Sequence, residues 1–399
     1  MRILHVSDTY TPTLGGIELH VLDLARRQRT EGDEVTVATL TPDPLGVDPE
    51  VVRLPPVGRY PHPDALRGLR ELIGSGAYDV VHAHVSLVSP LGWAAARAGA
   101  RSAVPTVVTM HSMLPRGAAA RALRPLVPAV PTAVVLTAVS AVAAASLRGL
   151  LPDHPVSVLP NGIDPGDWVP AATRPAAHPL TVVSTMRTAA RKRPLPLLRM
   201  LQAIRRGVPA EVPLRAVIAG DGPLDRVIRR RLRSSGLDGW VTHAGRLDRD
   251  EIKDLLGRSD LYLAPARLES FGIAALEARS AGLPVIGLAG SGLSEFIRDG
   301  RDGFLVRSDD ELVTRAAQLL SSPPELHAMQ RHNREHPPAT SWAQVLERHR
   351  RTYAVARGRL ALARGTSAAA RVSQRIETPR ALSVLHVHVP DRHFPHDMS

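Results

Sequence analysis

Short runs rich in Val and Ile alternate with stretches of helical periodicity along almost the whole chain, and that alternation leaves few folds open. Such runs form the buried strands of parallel sheets, and the periodic stretches form the crossover helices of βαβ units. In the first half, strands are expected over residues 2–7, 34–40, 51–54, 79–84, 106–110, 133–139 and 156–159. Between the first two, Ile17, Val21, Leu24 and Ala25 share one helical face, and Gly32-Asp33 ends the helix. The stretch 165–179, PGDWVPAATRPAAHP, breaks the pattern with prolines and reads as a linker. The alternation then resumes, with strands expected over 180–185, 215–219, 241–244, 261–264, 284–287 and 303–306.

That order predicts an α/β chain of two Rossmann-like, doubly wound parallel-sheet domains, over residues 1–164 and 180–340. A length of 399 residues supports two, because single cores stop growing near ~250–300 residues. A closing helix is expected over 341–360, followed by a basic, then His-rich tail over 361–399 that is expected to be flexible. Ligands of doubly wound sheets bind at the carboxyl ends of the strands, so the cleft between two such domains is the expected site.

Composition narrows the chemistry. The absence of cysteine excludes disulfides, thiolate metal sites and cysteine nucleophiles. The N-terminus runs straight into a strand pattern, and no segment approaches the ~18 uninterrupted apolar residues of a membrane span. The expectation is a cytoplasmic protein, or one held peripherally at the inner face of a membrane. A net charge of +12 suits an anionic membrane, phosphorylated ligands or nucleic acid. Nucleic acid is the poorest fit, since zinc-finger spacing, stacking aromatics and basic heptads are all missing.

Three stretches carry the candidate chemistry. In SDTYTPTLGGIELHVLDLA, Gly15-Gly16 opens a helix directly after the first strand, so unpaired N–H groups face whatever lies above that strand; a simple turn is the alternative. In STMRTAARKRP, Arg187 and Lys192 follow the second domain's first strand, where two cations can neutralise a pyrophosphate; a solvated basic turn is the alternative. In LESFGIAALEARSAGLPVI, Glu269 and Glu277 would stand ~12 Å apart along a helix, farther than the ~5–9.5 Å of a paired-carboxylate glycosidase. They suit two contacts on an extended ligand better, with the N–H groups of Phe271, Gly272 and Ile273 favouring an anion between them. A nucleotide sugar has hydroxyls at both ends and phosphate in the middle. The metal-like spelling DRD at 248–250 sits where acids cap helices, and His386, His388, His393 and His396 follow no ligand spacing, so no metal is expected.

Together with DVVHAH, VVTMHS, TAVSA, VLPNGID, VIAGDGP and VTHAGRL, in this order, these stretches resemble retaining glycosyltransferase family 4, the glycosyl transferases group 1, over residues 1–355. The resemblance implies the GT-B fold, with two Rossmann-like domains facing each other across a cleft. It implies retaining transfer of a hexosyl unit from a UDP- or GDP-sugar to a hydroxyl of a glycan, lipid or small polyol, without cofactor or metal. By the same resemblance Glu269 binds sugar hydroxyls near the reacting centre and Glu277 holds the ribose, while Phe271, Gly272 and Ile273 give backbone contacts. Arg187 and Lys192 would stabilise the departing diphosphate, Gly15 and Gly16 would approach it from the first domain, and His111 would lie beside the sugar. Arg246 falls in the stretch 243–247 that resembles a nucleobase pocket.

His82 and His84 end a strand expected to face the cleft, on the acceptor side. Arg67, Arg70, Arg116, Arg121 and Arg124 form either a face for anionic lipid or a phosphorylated acceptor, or a solvated basic surface. Two other readings share the architecture: a nucleotide-sugar 2-epimerase, and a nucleotide-sugar-binding protein without activity. The His-rich tail is a departure from the family pattern.

Overall fold

The computed structural model describes residues 1–13, 15–43, 48–113, 129–169 and 179–376, with side chains of the last helix described to residue 365. Arg116, Arg121, Arg124, the four tail histidines and residues 170–178 of the expected linker lie outside the described residues. Met1–Leu360 form one compact unit. The remaining residues, Ala361–Ser399, form a second, whose described part is helical.

The first half runs β1 (Arg2–Ser7), α1 (Gly16–Thr30), β2 (Glu34–Thr39), β3 (Val51–Arg53), β4 (Pro56–Val57), β5 (Tyr60–Pro61), α2 (Pro63–Gly74), β6 (Val80–Val85), α3 (Pro90–Arg101), β7 (Thr106–Met110), β8 (Val135–Ala138), α4 (Ala141–Leu150) and β9 (Val156–Val158). The second runs β10 (Leu180–Thr185), α5 (Pro194–Gly207), β11 (Leu214–Ala219), α6 (Asp225–Ser234), β12 (Val241–Gly245), α7 (Arg249–Gly257), β13 (Leu261–Ala264), α8 (Ile273–Ser280), β14 (Val285–Leu288), β15 (Gly303–Val306), α9 (Asp309–Leu320), α10 (Pro323–Glu335) and α11 (Trp342–Ile376).

Two parallel sheets result, ordered β3-β2-β1-β6-β7-β8-β9 and β12-β11-β10-β13-β14-β15. Each is wound in both directions, and the order reverses at β1/β6 in one and at β10/β13 in the other. Crevices open at such reversals because the flanking loops leave toward opposite faces. Every residue of β6, β7 and β8 is buried, which requires cover on both faces of the sheet, and His82, His84, Thr109 and Thr137 lie on one of those buried faces. Each fully buried Val, Leu or Ile there contributes about 1.5–3 kcal/mol relative to exposure.

The start of the expected linker, Pro165–Trp168, is a 3₁₀ turn whose indole is buried and lies 5.7 Å from the Arg249 guanidinium. α11 begins after the second sheet and packs back on the first half. Its Arg350 pairs with Glu31, and its Tyr353 is buried against α1 and β6. Among the described residues, no helix is long and apolar enough to cross a membrane.

Candidate active site

Two helix starts meet at the site. Gly15, in extended conformation at φ −170°, precedes α1, and a Cβ placed on Gly16 would lie 3.7 Å from Cδ1 of Ile273, the first residue of α8. The first turns of both helices leave backbone N–H groups without helical partners, and the positive end of each dipole lies at its own helix start. Glu18, in the first turn of α1, folds its carboxylate over Gly15. Gly272 caps α8 at φ +95°, a left-handed conformation, and any side chain there would drive into Leu293 at 2.7 Å.

The loop after β13 crosses between the two halves. Ser270 donates through Oγ to the His111 carbonyl at 2.6 Å, and Ser140 Oγ donates to the Ser270 carbonyl at 2.5 Å. On the same loop Glu269 Oε2 accepts from Lys192 Nζ at 2.5 Å. Lys192 ends a 3₁₀ turn after β10, and Arg187, exposed in the same loop, forms no ion pair among the described residues. The neighbouring Arg193 is structural: it holds the left-handed backbone at φ 62° and forks onto both Asp309 oxygens at 2.9 and 2.6 Å. One turn into α8 and half-buried, Glu277 has its carboxyl pushed up to about 8 by burial, an effect that Arg249 opposes and Asp23 reinforces. Arg249 itself pairs with Asp23 at 3.2 Å, joining α7 to α1.

The loop Gly220-Asp221-Gly222 sits on the strand end that carries Arg187. Thr188 N donates to the Asp221 carbonyl at 2.9 Å, and Leu224 N returns to the Thr188 carbonyl at 3.0 Å. Beside it His243 is buried with neither ring nitrogen hydrogen-bonded, and burial holds its pKa below the usual range. Arg246, three residues on, is exposed. Asp248 of the DRD stretch caps α7: it accepts from Glu251 N at 2.8 Å, and Glu251 accepts from Asp248 N at 2.7 Å.

The structure corrects the expectation for His82 and His84. Both are fully buried on the sheet face covered by α1 and α11, so neither offers an acceptor-side contact. They belong to a cluster of six buried histidines with His5, His20, His111 and His349. Of these, His5, His20 and His349 were not singled out from the sequence. The readable signal was spacing: His82 and His84 stand two apart on one strand and share a face, and His5 lies opposite His82 in register. Within the cluster, His5, His82 and His84, and likewise His20, His84 and His111, bring three ligand atoms within 4.8 Å of one another. Both nitrogens of His5, His82 and His84 are already hydrogen-bonded, so the first trio is satisfied without an ion.

A separate cavity of about 280 Å³, lined by Pro165, Gly166, Val169, Ser280, Arg334 and Pro337, contains none of the residues of the cleft.

Two family models match adjacent parts of the chain: Glycosyltransferase Family 4 over residues 14–167 and Glycosyl transferases group 1 over residues 171–336. The chain is 27% identical to the phosphatidylinositol N-acetylglucosaminyltransferase gpi3 subunit of Schizosaccharomyces pombe, over 79% of this chain and 72% of that protein. It is 26% identical to D-inositol 3-phosphate glycosyltransferase 2 of Catenulispora acidiphila, over 85% of this chain and 90% of that one. Among solved structures, the Anabaena protein Alr3699/HepE in complex with UDP and glucose superposes with a TM-score of 0.69 at 18% identity, covering 89% of this chain and 99% of that one.

Proposed function

The chain belongs to glycosyltransferase family 4 and is a glycosyltransferase of the GT-B fold, and from that premise we propose that it transfers a hexosyl unit from a UDP- or GDP-sugar to an acceptor hydroxyl with retention at the anomeric carbon. One observation carries the donor reading: the first turns of α1 and α8 converge at Gly16 and Ile273, beside the Lys192–Glu269 pair and the exposed Arg187. Fixed dipoles and cations of this kind stabilise the charge that develops on a departing diphosphate without rearranging. The Anabaena neighbour, whose structure holds UDP and glucose, supports the same kind of donor.

The family resemblance supplies the roles, and the positions suit them. Arg187 and Lys192 hold the diphosphate, Glu269 the sugar hydroxyls and Glu277 the ribose, while His111, fastened through its carbonyl to Ser270, lies at the sugar. In a retaining front-face transfer, the leaving diphosphate oxygen takes the acceptor's proton as the new glycosidic bond forms. No metal is then required, since the cations and helix starts carry the charge.

The relatives named for inositol-containing acceptors support a lipid-anchored or phosphorylated polyol acceptor. The net charge of +12 and the exposed Arg67 and Arg70 of α2 suit the same class, and a cytoplasmic or inner-membrane-surface location. The test is a thermal-shift panel of UDP-, GDP- and ADP-sugars followed by nucleoside-diphosphate release. The expected result is a rise in melting temperature with one nucleotide class, and turnover that disappears in Glu269→Ala and His111→Ala. No shift with any donor would overturn the reading, and an epimerised donor formed without acceptor would favour the epimerase chemistry instead.

A further inference from the structure

Behind His111 runs an unbroken chain of buried hydrogen bonds. His111 Nε2 lies 3.0 Å from His84 Nδ1, His84 Nε2 lies 2.9 Å from His5 Nδ1, and His5 Nε2 lies 2.7 Å from Gln28 Oε1. From Gln28 Nε2 the chain continues to Tyr353 Oη at 3.1 Å, on to His82 Nδ1 at 3.0 Å, and from His82 Nε2 to Thr109 Oγ1 at 2.7 Å. Thr109 Oγ1 meets Thr137 Oγ1 at 2.6 Å, and Thr137 donates to the Val108 carbonyl at 3.2 Å. The sheet register places these side chains on one face: His5 opposite His82, His84 opposite Thr109, and Thr109 opposite Thr137.

The end of the chain fixes its direction, because a carbonyl can only accept. Thr137 therefore spends its hydroxyl proton on Val108 and accepts from Thr109, which in turn accepts from His82 Nε2–H. His82 Nδ1 is then an acceptor, so Tyr353 donates to it and must receive its own hydrogen bond from the amide NH₂ of Gln28. That turns the amide oxygen of Gln28 toward His5, which donates from Nε2–H. His5 Nδ1 accepts from His84 Nε2–H, and His84 Nδ1 accepts from His111 Nε2–H. Each imidazole in the sequence needs one proton only. Burial favours that state, pushing His5 down to about 4 and His111 to about 3.

We infer that this relay, with Gln28 as its pivot, sets the tautomer of His111, so that the ring carries its proton on Nε2 and presents the unprotonated Nδ1 as a hydrogen-bond acceptor for a sugar hydroxyl. Gln28, His5, His84 and Tyr353 are then positioning residues, acting on the reaction through His111. Because Tyr353 belongs to α11, docking of that helix on the first half completes the relay. The inference rests on the reading of His111 as a group at the reacting sugar, but the tautomer can be read without any substrate.

The experiment is a long-range ¹H–¹⁵N correlation spectrum of the ¹⁵N-labelled full chain, with the His111 signals assigned through His111→Gln. The wild type is expected to show His111 protonated on Nε2 alone. Tyr353→Phe removes one oxygen, separated from His111 by Gln28, His5 and His84 along the relay, and frees the Gln28 amide to turn over and offer N–H to His5. A population of His111 protonated on Nδ1 is the expected result, with kcat falling by about tenfold or more and the donor KM nearly unchanged, as a wrong tautomer costs rate rather than binding. Gln28→Leu, which cuts the relay at its pivot, is the second variant should Tyr353→Phe fold poorly. A wild-type His111 protonated on Nδ1, or a tautomer unmoved in both variants, would overturn the relay. If the tautomer behaves as stated while no donor supports transfer, the functional reading fails and the relay stands.

Discussion

Lys192 Nζ lies 2.5 Å from Glu269 Oε2, and this contact ties the loop after β10 to the loop after β13 across the point where the second sheet reverses its order. Neither side chain is fully exposed, at 23% and 18%, yet both remain within reach of solvent. A pair at that depth adds little to stability, about 1 kcal/mol or less. On the proposed function, its value lies in holding a cation where diphosphate charge develops. Lys192→Met is therefore expected to lower kcat by about 10²–10³-fold with almost no change in melting temperature. Nucleoside-diphosphate release assays and thermal melts on the same preparations check it, and a melting loss that parallels the kinetic loss would sink the assignment.

On the proposed function, in which Glu277 holds the ribose, this residue gives donor binding a pH dependence. With its carboxyl pushed up to about 8 in the free protein, Glu277 is protonated at neutral pH, whereas a ribose diol donates best to the ionised form. Binding must then expel a proton. The affinity for a nucleotide sugar is expected to rise by up to about tenfold per pH unit from 6 toward 8 and to level off above. A nucleotide sugar carries no terminal phosphate that titrates in this range, so the slope reports the protein. Calorimetric titrations at several pH values should give that slope in the wild type and a flat profile in Glu277→Gln. A flat profile in both removes Glu277 from the ribose contact.

Gly272 and Gly15 look alike in sequence, each preceding a helix, and differ in what a methyl group would meet. At Gly272 the backbone is left-handed at φ +95°, and the added carbon would press on the buried Leu293 at 2.7 Å. At Gly15 the backbone is extended, and the nearest atom is the far end of the Glu18 side chain, which can swing away. Gly272→Ala is expected to cost about 1–3 kcal/mol and to displace the loop that carries Glu269. Gly15→Ala should leave the unfolding midpoint nearly unchanged. Parallel denaturant melts of the two variants decide it, and equal losses would refute the distinction.

Much of the scaffold was legible because parallel strands announce themselves as short apolar runs between turn residues. The strands at Arg2–Ser7, Thr106–Met110, Leu180–Thr185, Leu261–Ala264 and Gly303–Val306 match their expected bounds to the residue. The small hairpin β4–β5 was missed, since two-residue strands around Gly58 carry no periodicity. That the stretches carrying Lys192 and Glu269 follow the strands at Leu180–Thr185 and Leu261–Ala264 was legible from the strand pattern, whereas the contact between the two side chains was not. The histidines were misread for a physical reason: a parallel sheet is buried on both faces, so alternation along β6 cannot say which side chains look toward the cleft. Partners such as Gln28 and Tyr353, 325 residues apart, meet only when α11 packs against α1, and no local pattern reports that contact.

Arg279 and Asp302 form a buried ion pair behind α8, at 3.0 Å, with side-chain exposures of 1% and 2%. Arg279 also donates to the carbonyls of Asn333 and His336, while Asp302 accepts from the Arg298 side chain and backbone N–H. Burial alone would push the Asp302 carboxyl up. The hydrogen bonds from Arg298 and the charge of Arg279 outweigh it and hold Asp302 at about 2. A carboxyl depressed in the folded state contributes stability above its unfolded pKa, and that contribution disappears as pH falls through the folded value. Wild-type stability from this site is therefore expected to be complete above about pH 4 and to fade between about pH 4 and pH 2. Asp302→Ala leaves Arg279 buried and unpaired, so it should cost about 3–5 kcal/mol at neutral pH. The gap to wild type should narrow as acid is added. Urea unfolding of both proteins at pH 7 and near pH 3 measures it, and a gap that stays constant or widens in acid would show that Asp302 is not held ionised in the fold.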